Sequence, residues 1–315
     1  MAYAQAHQSE FATNPLISGN GIAVQASTVS HHIHVHDNVI YENGCGGIGT
    51  VKADYVTIEN NVVYNNAFWS PYACSGISNL GNANFDNSTA TKMVIRNNIV
   101  FGNEEFIPFH TTSPLKITDG NGIIIDTLRN NAPGDSGIAH VGRTLVTNNL
   151  VFDNGGRGIH AFESDHIDIV NNTVYSSGRS PAVSDGEITV IYASDVNVRN
   201  NIMFARTGKP TNAINAGSTA TLDYNIAYNG TSYTGAGPHD LVGMDPKFVN
   251  PGTNPITVNF HLQASSPGVN SGGNTLTPAN DLDGSARPYG AAIDRGAYEW
   301  GDLIFASNMG DGIGR

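Results

Sequence analysis

Two residues stand out for the chemistry they could do. Asp126 lies three residues after Ile123, and His160 lies one residue after Ile159, in two segments of the same Gly-Ile pattern. A carboxyl group and an imidazole brought together can act as general acid and base. Asp119, Asn121, Arg157 and Glu163 lie close by in sequence, and the preceding segment adds Glu104, Glu105, His110 and Lys116. His160, Lys116 or Arg157 would serve as a base, or as a cation that neutralises a carboxylate. Asp119, Asp126, Glu163 and Asp165 would serve as paired carboxyls. Asp119 and Asp126 also offer the hard oxygen ligands that Ca²⁺ prefers. Trp69 and Tyr72 have faces suited to stacking on ring-shaped ligands, with Asn121, Phe162 and Arg129 as further contacts. Each group also has a plainer reading. Asp119-Gly120-Asn121-Gly122 reads as a tight turn, Glu163-Ser164-Asp165-His166 as a strand-to-strand corner, and Trp69 as a loop anchor.

The elements that must position these residues follow from a repeat. An Asn is followed three residues later by an aromatic at Asn38/Tyr41, Asn61/Tyr64, Asn98/Phe101, Asn149/Phe152, Asn172/Tyr175, Asn201/Phe204 and Asn225/Tyr228. Successive Asn are 23, 37, 51, 23, 29 and 24 residues apart, so the basic unit is 23 residues and larger values carry insertions. A Gly-Ile landmark precedes the Asn at Gly47-Ile48, Gly76-Ile77, Gly122-Ile123 and Gly158-Ile159. Each unit reads as three short alternating strands, such as GIGTV, YVTIEN and VVYNN. Such a unit cannot bury its own apolar face, but stacked units can, at about 4.8 Å per turn. The Asn then stack at one corner, where the residue before each takes a left-handed conformation and the amides bond from turn to turn.

This pattern resembles the right-handed parallel β-helix of the pectate-lyase-like superfamily, over roughly residues 20–230. The expected fold is all-β, with about seven turns. The expected organisation is a lead-in, trimmed start or N-terminal cap over 1–20, the β-helix over 21–234, a C-terminal capping segment over 235–300 and a loose tail over 301–315. The segments NFHLQASSPGVNSG and DLDGSARPYGAAIDRGAYEW resemble the closing segment of secreted bacterial β-helix proteins, and are expected to cover the open edge of the last turn.

The repeat also says where the groove lies. From Asn to the next landmark Ile takes 10 residues in a plain unit, but 16 at Asn61–Ile77 and 25 at Asn98–Ile123. From Ile to Asn takes 13 in a plain unit, but 21 at Ile77–Asn98 and 26 at Ile123–Asn149. Long loops thus flank the Gly-Ile strand on both sides in the same central turns, and loops on a rigid scaffold carry function. With the landmark Ile inward, positions one and three later face out, which puts Asp126 and His160 on the groove floor. Cys45 and Cys74 share one offset in adjacent turns, within reach of a disulfide and also of a pair of stacked thiols. His32, His34 and His36 share a strand face but span too far for one compact metal site.

The resemblance implies a secreted or extracellular enzyme acting on a polysaccharide. Elimination on a uronate, with Ca²⁺ as its cofactor, is the first expectation; hydrolysis by paired carboxyls and a non-catalytic carbohydrate-binding or adhesive role are the alternatives. No RxPxR motif, polygalacturonase set or DPHD motif is present, so no known subtype is recognised. A net charge of −12 with five Lys argues against a nucleic-acid partner. No segment is apolar for long enough to span a membrane as a helix.

Overall fold

The Asn at each corner dictates the architecture. In the computed structural model, which describes residues 2–3 and 19–301, the residue before each ladder Asn has a positive φ: Asp37, Asn60, Asn97, Asn148, Asn171, Asn200 and Tyr224. Asn and Asp tolerate this region better than other side chains, which is why the pair Asn-Asn recurs. The sharp corner turns the following Asn inward. Its Nδ2 donates to the Oδ1 of the Asn one turn on: Asn38 to Asn61 at 3.0 Å, Asn61 to Asn98 at 3.0 Å, Asn98 to Asn149 at 3.0 Å, Asn149 to Asn172 at 2.9 Å, Asn172 to Asn201 at 3.0 Å and Asn201 to Asn225 at 3.1 Å. Asn225 ends the column by donating to Asp240 Oδ1 at 3.1 Å.

A second amide column, not anticipated from the sequence, runs five residues further on. Asn43 donates to Asn66 at 2.7 Å, Asn66 to Asn103 at 2.9 Å and Asn103 to Asn154 at 3.0 Å. Its signal is legible as the pattern NVIYEN, NVVYNN, NIVFGN and NLVFDN.

Between these corners the chain forms a right-handed parallel β-helix with three faces. The first sheet carries the Gly-Ile strands, including Ile77–Leu80, Ile123–Asp126, Ile159–Phe162, Ile188–Ile191 and Asn212–Ile214, paired in register through the landmark Ile. The second carries Thr91–Arg96, Arg143–Thr147, Asp165–Val170, Ser194–Arg199 and Ala220–Asp223. The third carries the short strands that follow each ladder Asn, from Val39–Tyr41 to Ile226–Tyr228. The first two faces are not always separate strands. Ile22–His36 and Ile48–Glu59 run through both, with Lys52 and Tyr55 at positive φ marking the bend.

Ile48, Ile77, Ile123, Ile159 and Ile188 form an inner column that water does not reach. Each buried Ile contributes roughly 1.5–3 kcal/mol. The Gly before them answers a close approach: a Cβ on Gly122 would lie 2.4 Å from Val151 Cγ1, and one on Gly158 2.1 Å from Val174 Cγ1.

The aromatic that follows each ladder Asn points outward from the third sheet. Tyr41, Tyr64, Phe101 and Phe152 stack at 4.9, 4.9 and 4.8 Å. The C-terminal segment differs from expectation here. Among the described residues, only Leu241–Val242 extends the third sheet past Ile226–Tyr228. The hairpin Phe248–Asn250/Asn259–Leu262 and the segment after it fold back along the third sheet, where Phe248 and Phe260 cover Phe152, Tyr175 and Phe204. The outward aromatics supply the apolar surface that draws the segment to the flank rather than to the end of the helix. Arg287, Glu299, Asp281 and Asp294 knit this segment internally: Arg287 pairs with Glu299, and the carboxylates accept backbone N–H groups.

Cys45 and Cys74 form a disulfide with Cα atoms 5.3 Å apart. The His run does not keep one face, because His32 takes a positive φ. His31 stacks on Phe85, His32 on Tyr55, and His34 bonds Glu59. Apart from Ala2–Tyr3, which pairs with Ile40–Tyr41, and Gly19 and Asn20, the expected lead-in lies outside the described residues. So does the expected tail after Gly301.

Asn98→Ala is expected to destabilise the protein by about 3–5 kcal/mol, because it strands buried donors and acceptors on three turns. Asn38→Ala, at the partly exposed end of the same column, is expected to cost about 1 kcal/mol. Thermal and denaturant unfolding of both variants checks the contrast, and equal losses would show that the column does not act as a continuous chain.

Candidate functional site

The groove over the first sheet is built by the insertions. On the side that precedes each Gly-Ile strand stand loops 66–76 and 104–121, and on the side that follows stand loops 81–90 and 127–142. A buried ionic knot pins the second pair. Asp54 accepts from Lys92 Nζ at 2.9 Å, from the Phe85 N–H at 2.7 Å and from His140 Nε2 at 3.0 Å. Burial opposes ionisation of Asp54, but the bonds from His140, Lys92 and Phe85 outweigh it and hold the carboxyl at about 2. Nothing in the sequence announced this knot, since Asp54 and His140 are 86 residues apart.

The floor has two outward rows. The row one residue after the landmark Ile includes Ile124, His160 and Thr189, all closed over by the loops. The row three residues after it carries Leu80, Asp126, Phe162 and Ile191, which remain partly open. Asp126 therefore sits in an apolar stripe, between Leu80 and Phe162. Its Oδ1 is buried without a hydrogen-bond partner. Burial first, and then the charges of Asp119 and Glu163, push its carboxyl up to about 8.

His160 stands on the adjacent strand, two residues out of register with Asp126, since Asp126 pairs with Phe162. It is 4% exposed, and neither ring nitrogen has a partner. Burial first, and then the charge of Arg157, hold its imidazole well below the ordinary value. At neutral pH the floor thus holds a protonated acid and an uncharged imidazole.

Several of the expected site residues are engaged elsewhere. Asn121 is a correction: it is fully buried, its Nδ2 donates to Ser75 Oγ and Asp119 Oδ1, and its Oδ1 accepts the Arg157 N–H, so it holds a turn and has no atom left for a ligand. Asp119 is half-buried beside it, and burial raises its carboxyl against the pull of Arg157. Arg157 pairs with Asp185 and donates to Thr118 O at 2.7 Å. Arg129 clasps Asp165 through two bonds of 2.9 and 2.7 Å. Asp165 also accepts the Ser194 N–H, and Ser164 bonds the corner backbone, so that corner is structural at both residues.

Lys116 is exposed on the long insertion. Glu163 is half-buried at the end of its strand, one residue past Phe162. Trp69 and Tyr72 are 42% and 43% exposed on the opposite rim, where Tyr72 meets His110 edge to face. Glu105, not among the chief expectations, is buried and accepts the N–H groups of Cys74 and Asp119. Burial and then Asp119 raise it to about 8. Among the described residues, no three His, Cys, Asp or Glu come together as metal ligands.

No family model matches the chain, and no curated protein matches it in sequence. Solved structures similar to it include pectate lyase Pel9A, at 19% identity and a TM-score of 0.47, over 89% of this chain and 68% of that one. The Azotobacter vinelandii mannuronan C-5 epimerase AlgE4 A-module is similar at 13% identity and a TM-score of 0.32, over 70% of this chain and 57% of that one. The complex of XylC with xylose gives 14%, 0.36, 69% and 39% in the same order. At these levels the likeness carries no functional weight.

The folded value of Asp126 lies above its ordinary 3.8. The folded state therefore holds this proton more tightly, and the stability it contributes is present below pH 3.8 and lost as pH rises through about 8. Asp126→Asn is expected to flatten the decline of melting temperature between about pH 4 and pH 9. Parallel slopes in the two proteins would show a hydrated, unperturbed carboxyl.

Proposed function

We infer that this chain is an extracellular enzyme that cleaves a polysaccharide in the groove over the first sheet, by acid-assisted hydrolysis. The observation that carries this reading is Asp126, a carboxyl kept protonated at neutral pH within a partly open apolar stripe. A glycosidic oxygen needs a proton as its bond to the sugar carbon breaks, and such an acid supplies it. Glu163, from the adjacent strand, is the second carboxyl, acting on water or on the sugar carbon. Trp69 and Tyr72 on the rim, with Phe162 on the floor, offer faces to sugar rings. The disulfide Cys45–Cys74 supports an oxidising, extracellular setting.

Elimination on a uronate is the second reading, favoured by the uncharged His160 with its two unpaired nitrogens. That base is closed off from the groove, so elimination requires the loops over it to open.

The test is a panel of polysaccharides, with and without Ca²⁺, followed by reducing ends and by the ultraviolet absorbance of unsaturated products. Hydrolysis gives reducing ends alone, at a rate that falls above about pH 8 as Asp126 loses its proton. Asp126→Asn is expected to lower kcat by about 10²–10⁴-fold. His160→Phe is expected to keep most of the activity; complete loss in this variant, with unsaturated products from the unmodified protein, would establish elimination instead. No cleavage of any polymer would leave a binding protein.

A further inference from the structure

The charges around the groove bear on what it holds. Among the described residues, the guanidiniums on its walls, Arg129, Arg157 and Arg179, are each paired with a carboxylate. Arg129 forms its two-bond clasp with Asp165 and also reaches Ser194 Oγ. Arg157 is tied to Asp185. Arg179, on the loop before the strand Ile188–Ile191, is tied to Glu104 and Asp153. Lys209 Nζ, behind that loop, donates to the carbonyls of Ser180 and Val183. The lysines nearest the groove, Lys52 and Lys116, are exposed at the surface.

Against these stand four carboxyls at or beneath the floor, Glu105, Asp119, Asp126 and Glu163, of which the first three already resist taking a negative charge. A polyuronate would bring one more carboxylate per sugar into this low-dielectric site, where the wall guanidiniums are already paired, and a charge desolvated without a partner is strongly unfavourable. The open floor row of Leu80, Phe162 and Ile191, with Tyr192 at its end, presents instead a surface that suits the C–H faces of sugars.

We propose that the groove takes an uncharged polysaccharide rather than a uronate polymer. This rests on the groove being the substrate site. It departs from the uronate expectation drawn from the sequence, because the arginines that would have met a carboxylate hold the loops together instead.

Calorimetry on Asp126→Asn, which replaces a neutral acid with a neutral amide, tests the proposal with xylohexaose, cellohexaose, hexagalacturonate and methyl-esterified hexagalacturonate. At least one neutral hexamer is expected to bind. Hexagalacturonate is expected to bind at least about tenfold more weakly than its methyl ester, with the gap narrowing as salt is raised. Asp185→Asn, a change on a surface loop, frees Arg157 and is expected to raise the affinity for hexagalacturonate about tenfold. Binding of hexagalacturonate equal to or tighter than its ester overturns the proposal, as does binding of none of the four. Cleavage of polygalacturonate by the unmodified protein would also overturn it, while leaving the enzymatic reading intact. Neutral hexamers bound with no polymer cleaved would remove the enzymatic reading and leave this one standing.

Discussion

The amide bond passed from one Asn to the next is the constraint on which the rest of this structure depends. Each interior Asn donates to the turn after it and accepts from the turn before it, while its Nδ2 also reaches backbone carbonyls of its own turn and of the one before. No substitution with fewer donors satisfies all of these groups in a place that water cannot enter. The columns fix the register between turns, and register fixes which side of every strand faces out. Asp126 reaches the floor only because Ile123 is locked inward beneath it.

The groove uses that rigidity in a different way. Loops of unequal length close over one outward row and leave its neighbour half-open, so two residues on adjacent strands meet different environments. The same burial that disfavours the charged form of Asp126 disfavours the charged form of His160, and the two shift in opposite directions for that reason. The insertions that make the groove are held by charges the groove does not expose, notably Lys92 and Asp54, both inaccessible to solvent.

The repeating part of the fold was legible because its rule is local and recurs. Asn, left-handed corner, inward amide and outward aromatic can be read from any one unit and checked against the next. The disulfide was legible as an option for the same reason, since Cys45 and Cys74 hold one position in the repeat. The position of Asp126 was legible from alternation. What sits over His160 was not, because a covering loop obeys no period. Arg129, Arg157 and Asn121 were expected to meet a ligand on the strength of residue type, whereas their partners Asp165, Asp185 and Ser75 lie 28 to 46 residues away and no pattern links them. The return of the C-terminal segment along the flank was obscured in the same way, although the outward aromatics that receive it were in plain view.

That return has a consequence for how the molecule comes apart. A bare solenoid is a stack in which each turn knows only its neighbours, and it can fray from an end one turn at a time. Here a single stretch near the C-terminus is tied to several turns at once. Asn280 O accepts from Asn148, Asp294 O from Asn171, Gly273 O from Asn200, and Arg295 donates to Asn225 O. These anchors are mostly the outward-facing first members of the Asn pairs, the very residues whose strained corners start each turn. The segment acts as a clasp along the spine: the turns it crosses must open together, and a stretch that follows all of them in sequence is what makes the stack behave as one body.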